Sequence, residues 1–91
     1  MECLIEVVEG SDHRLVRLAG RLTAAQVPDL MGVCDDAAVL RIDLGNLISV
    51  DAIGLEALQR YRERGATMME VPGYIRLKLD TLSASRTLRR S

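Results

Sequence analysis

Aromatic residues are almost absent from this chain: 91 residues hold two tyrosines, no tryptophan and no phenylalanine. A core must therefore be built from Leu, Ile, Val, Ala and Met. No apolar run approaches the roughly 20 residues that a membrane-spanning helix needs, so direct insertion into a bilayer is not expected. The basic start and unbroken apolar block of a signal peptide are missing as well. Glu2, Glu6 and Glu9 stand in that region instead, and a cytoplasmic protein is expected. Cysteine is scarce. Cys3 and Cys34 have neither metal-ligand spacing nor a partner cluster, and are read as small hydrophobes rather than a disulfide or redox pair. The single histidine, His13, falls at an expected turn and is read as an exposed turn residue, not a ligand or a base.

The templates of catalysis are absent too. The sequence has no phosphate-binding loop, no GxGxxG, no HExxH, no CxxC, and no histidine placed to serve a Ser/His/Asp or Cys/His set. Asp43 and Asp51 are the only acids near the most structured stretch, and two aspartates eight residues apart are a thin basis for acid–base chemistry. The sequence is thus read as that of a non-enzyme, with no cofactor and no metal.

What the chain does have is the composition of one ordinary globular domain, 48% hydrophobic and 27% charged, spanning 1–91. The net charge of −1 conceals an asymmetry. Residues 1–59 hold ten acids against four bases, and residues 60–91 hold eight bases against three acids. The basic third is read as a solvated helix face followed by a basic, fraying tail over 83–91, and not as a nucleic-acid surface.

Periodicity supplies the elements. Cys3 to Glu9 alternates as a strand, Gly10-Ser11-Asp12 signals a turn, and His13 to Ala19 is again strand-like and closed by Gly20, so an antiparallel hairpin is expected. Thr23 and Gln26 have the spacing of a capping box. Pro28 would fall inside a helix capped by Thr23, so the first helix either starts irregularly or begins nearer Pro28, and it stops near Cys34. Val39 to Leu44 reads as a central strand broken at Gly45-Asn46. Asp51 is placed to cap a second helix carrying Leu55, Leu58 and Tyr61 on one face, with Gly65 as its stop. A Met-rich strand over Ala66 to Val71, a Pro72-Gly73 turn and a helix over Tyr74 to Leu82 complete the order β-β-α-β-α-β-α. The expected fold is α/β: a four-stranded mixed sheet opened by an antiparallel hairpin, with about three helices mainly on one face, right-handed crossovers, and the other face left to side chains or a partner.

Several of these segments, in this order, resemble one family. Val16-Arg-Leu-Ala-Gly-Arg-Leu-Thr23 is similar to its entry into the first helix. Leu40-Arg-Ile-Asp-Leu44 is similar to its central strand, and Val50-Asp51-Ala52-Ile53-Gly54-Leu55 to the signature of STAS domains, the anti-anti-sigma factor family. Val71-Pro-Gly-Tyr-Ile-Arg-Leu77 resembles the stretch before that family's last helix. The resemblance implies a bacterial protein-binding module in signalling and transcription regulation. Its partner would be an anti-sigma factor or related ATPase-fold kinase, and it would be phosphorylated on the Ser or Thr after the signature aspartate. Here that phosphoacceptor position is Ala52, which has no hydroxyl, and Ile53 replaces the next small polar residue. Phosphorylation at the usual place is chemically impossible. Ser49 is the candidate for a displaced acceptor, and is read first as a loop residue bonding the backbone; Thr23 is a second hydroxyl nearby.

The partner-binding set expected from this resemblance is Ser49, Asp51, Ala52, Ile53, Gly54, Leu55 and Leu58, with Gly54 leaving room for a partner to approach. Alternative roles within the family are a small subunit bound to the ATPase of a lipid ABC transporter and a ligand-sensing domain. A homodimer through the bare sheet face is the structural alternative.

Overall fold

The computed structural model describes residues 3–90, with side chains from Cys3 to Leu82. Its elements are β1 (Leu4–Glu9), β2 (Arg14–Leu22), α1 (Val27–Cys34), β3 (Leu40–Val50), α2 (Ala52–Glu63), β4 (Thr67–Met69) and α3 (Gly73–Arg90). The four strands form one sheet in the order β1-β2-β3-β4, antiparallel between β1 and β2 and parallel thereafter. The expected α/β fold with its opening hairpin is therefore the observed one.

The hairpin follows from period-2 alternation. Ile5 and Val7 stand opposite Leu18 and Val16, whereas Leu4, Glu6 and Val8 stand opposite Ala19, Arg17 and Leu15. Gly10 closes the turn by donating its N–H to the His13 carbonyl at 2.8 Å. At the base of the hairpin Arg14 pairs with Glu9 and Asp36 and also donates to the Val33 carbonyl, which ties β2 to the last turn of α1.

Buried residues from every helix belong to one cluster with the sheet. Leu30 and Cys34 of α1, Ala57, Leu58 and Tyr61 of α2, and Ile75 and Leu79 of α3 meet Val16, Leu18, Leu22, Ile42 and Leu44. The alternate strand positions Arg17, Arg21 and Arg41 are exposed, so the helices cover a single face. On the open face Arg17 lies 3.7 Å from Glu6 and 3.8 Å from Asp43. Such exposed ion pairs are worth about 0–1 kcal/mol and serve solubility more than stability.

The structure departs from the sequence reading in four places. First, β3 does not break at Gly45-Asn46 but runs on to Val50, and β2 passes through Gly20 to Leu22. Two irregularities make this possible. Between the pairs Arg17/Asp43 and Ala19/Asn46, and again between Gly20/Leu47 and Arg21/Ser49, β3 spends one more residue than β2. Each extra residue is a bulge that shifts the side-chain alternation by one. Hence Leu40, Ile42 and Leu44 are buried at a spacing of two, then Leu47 and Val50 at a spacing of three. Gly20, at φ +91°, takes the left-handed conformation beside the second bulge, which only glycine adopts freely.

Second, the Thr23–Gln26 pair does not cap a helix. The Gln26 amide oxygen accepts from the Thr23 N–H at 3.2 Å and from its hydroxyl at 2.5 Å, closing a turn, and α1 starts at Val27 with Pro28 in its first turn, where proline's missing N–H costs nothing. Third, β4 stops at Met69 because Glu70 has φ +53° and leaves the extended region. Fourth, α3 continues as helical backbone to Arg90 instead of ending at Leu82. The expected fraying of 83–91 concerns side chains, and Ser91 altogether, outside the described residues. No helix among the described residues is long and apolar enough to cross a membrane.

Gly54, buried in the first turn of α2, lies close against the end of β2. A Cβ there would stand 2.9 Å from the Leu22 carbonyl oxygen and 3.0 Å from Leu22 Cγ and Val50 Cγ2. One of those neighbours is backbone and cannot rotate away, so Gly54→Ala is expected to destabilise the fold by about 1–3 kcal/mol through overpacking, although alanine is the better helix former. Urea unfolding with a midpoint at or above wild type would show that α2 is free to lift from the sheet.

Candidate docking site at the start of α2

The end of β2 and the start of α2 meet at the carboxyl edge of the sheet, where the loops of open α/β sheets usually carry function. Asp51 holds the meeting together. Its N–H donates to the Leu22 carbonyl at 3.0 Å, and its own carbonyl accepts the first helical bond from Leu55 at 2.8 Å. One carboxylate oxygen, Oδ1, accepts from the Gly54 N–H at 2.7 Å, the bond of an N-cap, in keeping with the extended backbone of Asp51. The other, Oδ2, accepts from the Ala24 N–H at 2.9 Å, across from the β2–α1 turn. One side chain thus caps α2 and ties down a loop 27 residues earlier in sequence. These backbone N–H groups, Gly54 first and Ala24 second, hold the Asp51 carboxyl below its ordinary range.

The expected site residues separate into two sets. Asp51, Ala52 and Ile53 are exposed, Ile53 at 50%, and Leu55 is half-buried. Leu58 is fully buried, and Gly54 is buried against the Leu22 carbonyl, so Gly54 makes room for the protein's own backbone rather than for a partner. Ser49 is not in a loop: it is a half-buried residue of β3 in register with Arg21, on the sheet's open face. Thr23 has its hydroxyl engaged by Gln26. Beside Ala52 and Ile53 the turn contributes exposed Ala24 and Ala25, and the second bulge leaves Ile48 59% exposed. Tyr74 secures the neighbouring strand end, donating its hydroxyl to the Leu47 carbonyl at 2.8 Å.

The sequence reading missed Ala24 and Ile48. The Thr23–Gln26 spacing marked a turn near Ala24, but no sequence signal announced that its N–H would point at Asp51. Ile48 would have been legible only with the bulges in hand.

The acids near this edge are engaged by the backbone. Asp43 is spent on the Gly45 N–H at 2.8 Å, and Asp51 on two backbone donors. Among the described residues no three His, Cys, Asp or Glu side chains come together as metal ligands would. Both cysteines are free, and burial pushes the Cys34 thiol up to about 12, far from a reactive thiolate. At the opposite end of the sheet the Tyr61 hydroxyl donates to Asp35, with Arg64 stacked 5.7 Å above the Tyr61 ring; this is a cluster that fastens α2 to the end of α1.

The sequence matches no family model and no curated protein. Solved structures do match. An anti-sigma factor antagonist from Mycobacterium paratuberculosis superposes with a TM-score of 0.72 at 19% identity, over 94% of this chain and 82% of that one. The STAS domain of an antisigma-factor antagonist from Rhodobacter sphaeroides gives 0.53 at 23% identity, over 76% and 85%. This protein has the STAS-domain fold, the fold of anti-sigma factor antagonists.

The double role of Asp51 sets an expectation. Asp51→Ala should cost about 1–2 kcal/mol, the upper part of the range for a lost cap, because two N–H donors lose their acceptor. The carboxyl is depressed in the folded state, so its contribution is complete above the titration of an unfolded aspartate, about pH 3.9, and drains away as pH falls through the lower folded value. Urea unfolding of wild type and Asp51→Ala at pH 7 and in acid should therefore converge in acid. A gap that persists undiminished well below both titrations would mean that the substitution acts by some route other than the carboxylate.

Proposed function

We propose that this protein is a protein-interaction module of the STAS type, acting as an anti-sigma factor antagonist does, and that it docks an anti-sigma factor or related ATPase-fold regulator through the start of α2. The observation that carries the reading is the exposed apolar step formed by Ala52 and Ile53 beside Ala24 and Ala25, tied together by the bonds of the Asp51 carboxylate. The likeness in fold to two antagonist structures supports it. Ser49 and Leu55 border this surface. In this reading Gly54 and Leu58 shape the surface from beneath and make no contact.

Ala52 sets the mode of regulation. With no hydroxyl at the phosphoacceptor position, the module is not switched there, and its output follows its concentration and that of its competitors. The protein is a non-catalytic regulator of the cytoplasm. Incubation with ATP and a cognate kinase should leave its intact mass unchanged; a stoichiometric phosphate mapped to Ser49 or Thr23 would mean that the switch has moved.

Binding is tested by charge at the same spot. Ala52→Glu places a carboxylate at the first helical position, where the helix dipole tolerates an anion, so the fold should survive. A partner seated on the step would leave that carboxylate dry and unpaired at a cost of ~2 kcal/mol, more than a tenfold loss of affinity. Wild-type affinity for an ATPase-fold partner identified from the genomic neighbourhood, with an unchanged circular dichroism spectrum, would place the docking surface elsewhere.

A further inference from the structure

A second feature lies away from this edge, where α2, β4 and α3 meet. Arg62, Met68, Val71, Arg76 and Leu79 line an open pocket of about 240 Å3. Its floor is apolar: Leu79 belongs to the core, and Met68 and Val71 pack against it half-buried. Both ionisable residues that line it are arginines, contributed by different helices.

Of the donors on these two guanidiniums, one is given to an acid among the described residues, in a long bond from Arg62. Arg62 reaches Asp80 through one nitrogen at 3.4 Å, well beyond a strong charge-assisted bond, and Asp80 is itself 62% exposed. Arg76 has no acid within ion-pair distance among the described residues. Two like charges on one pocket repel, and their planar donor arrays are suited to a carboxylate held bidentately. An apolar floor beneath a cationic rim asks for a ligand with a tail as well as a charge.

We propose that this pocket is a binding site for a small amphiphilic carboxylate, its head group between Arg62 and Arg76 and its short hydrocarbon chain against Met68, Val71 and Leu79. The site is separate from the docking step, so either proposal can fail without the other.

The test is a titration of the isotope-labelled full chain followed by amide chemical shifts, at matched pH and ionic strength, with hexanoate, acetate, hexylammonium and inorganic phosphate as probes. Hexanoate should give saturable shifts at the amides of the five lining residues. Acetate, lacking most of the tail, should bind at least about tenfold more weakly. Hexylammonium, with the tail and the wrong charge, should not saturate, and phosphate should not match hexanoate. Arg76→Gln, at an exposed position, should keep a folded spectrum while weakening hexanoate about tenfold, the effect of losing one charge-assisted contact. Equal binding of hexanoate and hexylammonium would reduce the pocket to a greasy patch. Phosphate or acetate as tight as hexanoate would remove the role of the floor, and an Arg76→Gln protein that binds hexanoate like wild type would overturn the assignment.

Discussion

A single carboxylate joins the two halves of this domain. Asp51 stands where β3 turns into α2, and with its N–H, its carbonyl and both side-chain oxygens it engages Leu22, Leu55, Gly54 and Ala24. Capping is an ordinary task for an aspartate, and a cap requires only one of these bonds. The bond to Ala24 is the unusual one, because it couples the exit of β2 to the entrance of α2. The two neighbouring segments at this edge of the sheet are therefore tied to each other. A loop held this way presents its side chains at little entropic cost on binding, which is where preorganisation gains affinity.

That geometry rests on the irregularities of β3. A regular strand would alternate in steps of two from Leu40 onward, which would turn Asn46 and Ile48 inward and Leu47 out to solvent. The two extra residues, one after Asp43 and one near Ile48, place Leu47 in the core instead, and because the two shifts cancel Val50 is inward again just before Asp51 bonds the Leu22 carbonyl. Bulges cluster beside functional edges because they re-aim side chains without ending the sheet. Ile48 is the residue expelled to solvent by this arrangement, and its exposure follows from the same distortion that seats α2.

These features also explain what the sequence revealed. Alternation in Leu4–Glu9 and Leu40–Leu44, the Gly10–Asp12 turn, the cap at Asp51 and the stop at Gly65 are local signals, and local signals determine element type. The bulges are not local. Gly45-Asn46 has the composition of a break, and only pairing with β2 keeps it extended. In the same way Gly20 looks like a terminator, because positive φ inside a strand is permitted to glycine only when a neighbour supplies the ladder. The order of elements was legible for this reason, whereas the length of β3 was not. At the site, residue identity at Ala52 could be read directly as the loss of a hydroxyl. The direction of Gly54 could not, since a glycine's vacancy serves whichever neighbour approaches it, and here the neighbour is Leu22.

The chemistry at the start of α2 also argues for a partner that brings no negative charge to it. A helix N-terminus attracts anions because its first N–H groups lack partners and the dipole is positive there. In this protein Asp51 already takes the Gly54 N–H, and its carboxylate sits within the first turn. An incoming phosphate or carboxylate would find the best donor occupied and a like charge beside it. The surface left to a visitor is the small apolar step of Ala24, Ala25, Ala52 and Ile53, which rewards shape and exclusion of water, not charge. Electrostatic steering, if the partner uses it, has to come from elsewhere on the domain, and the excess of arginine in residues 60–91 supplies a field of the opposite sign to the acidic half. Under the docking proposed above, contact at an apolar step with steering from the charge asymmetry separates affinity from approach, and such a module would be tuned by its concentration and by salt.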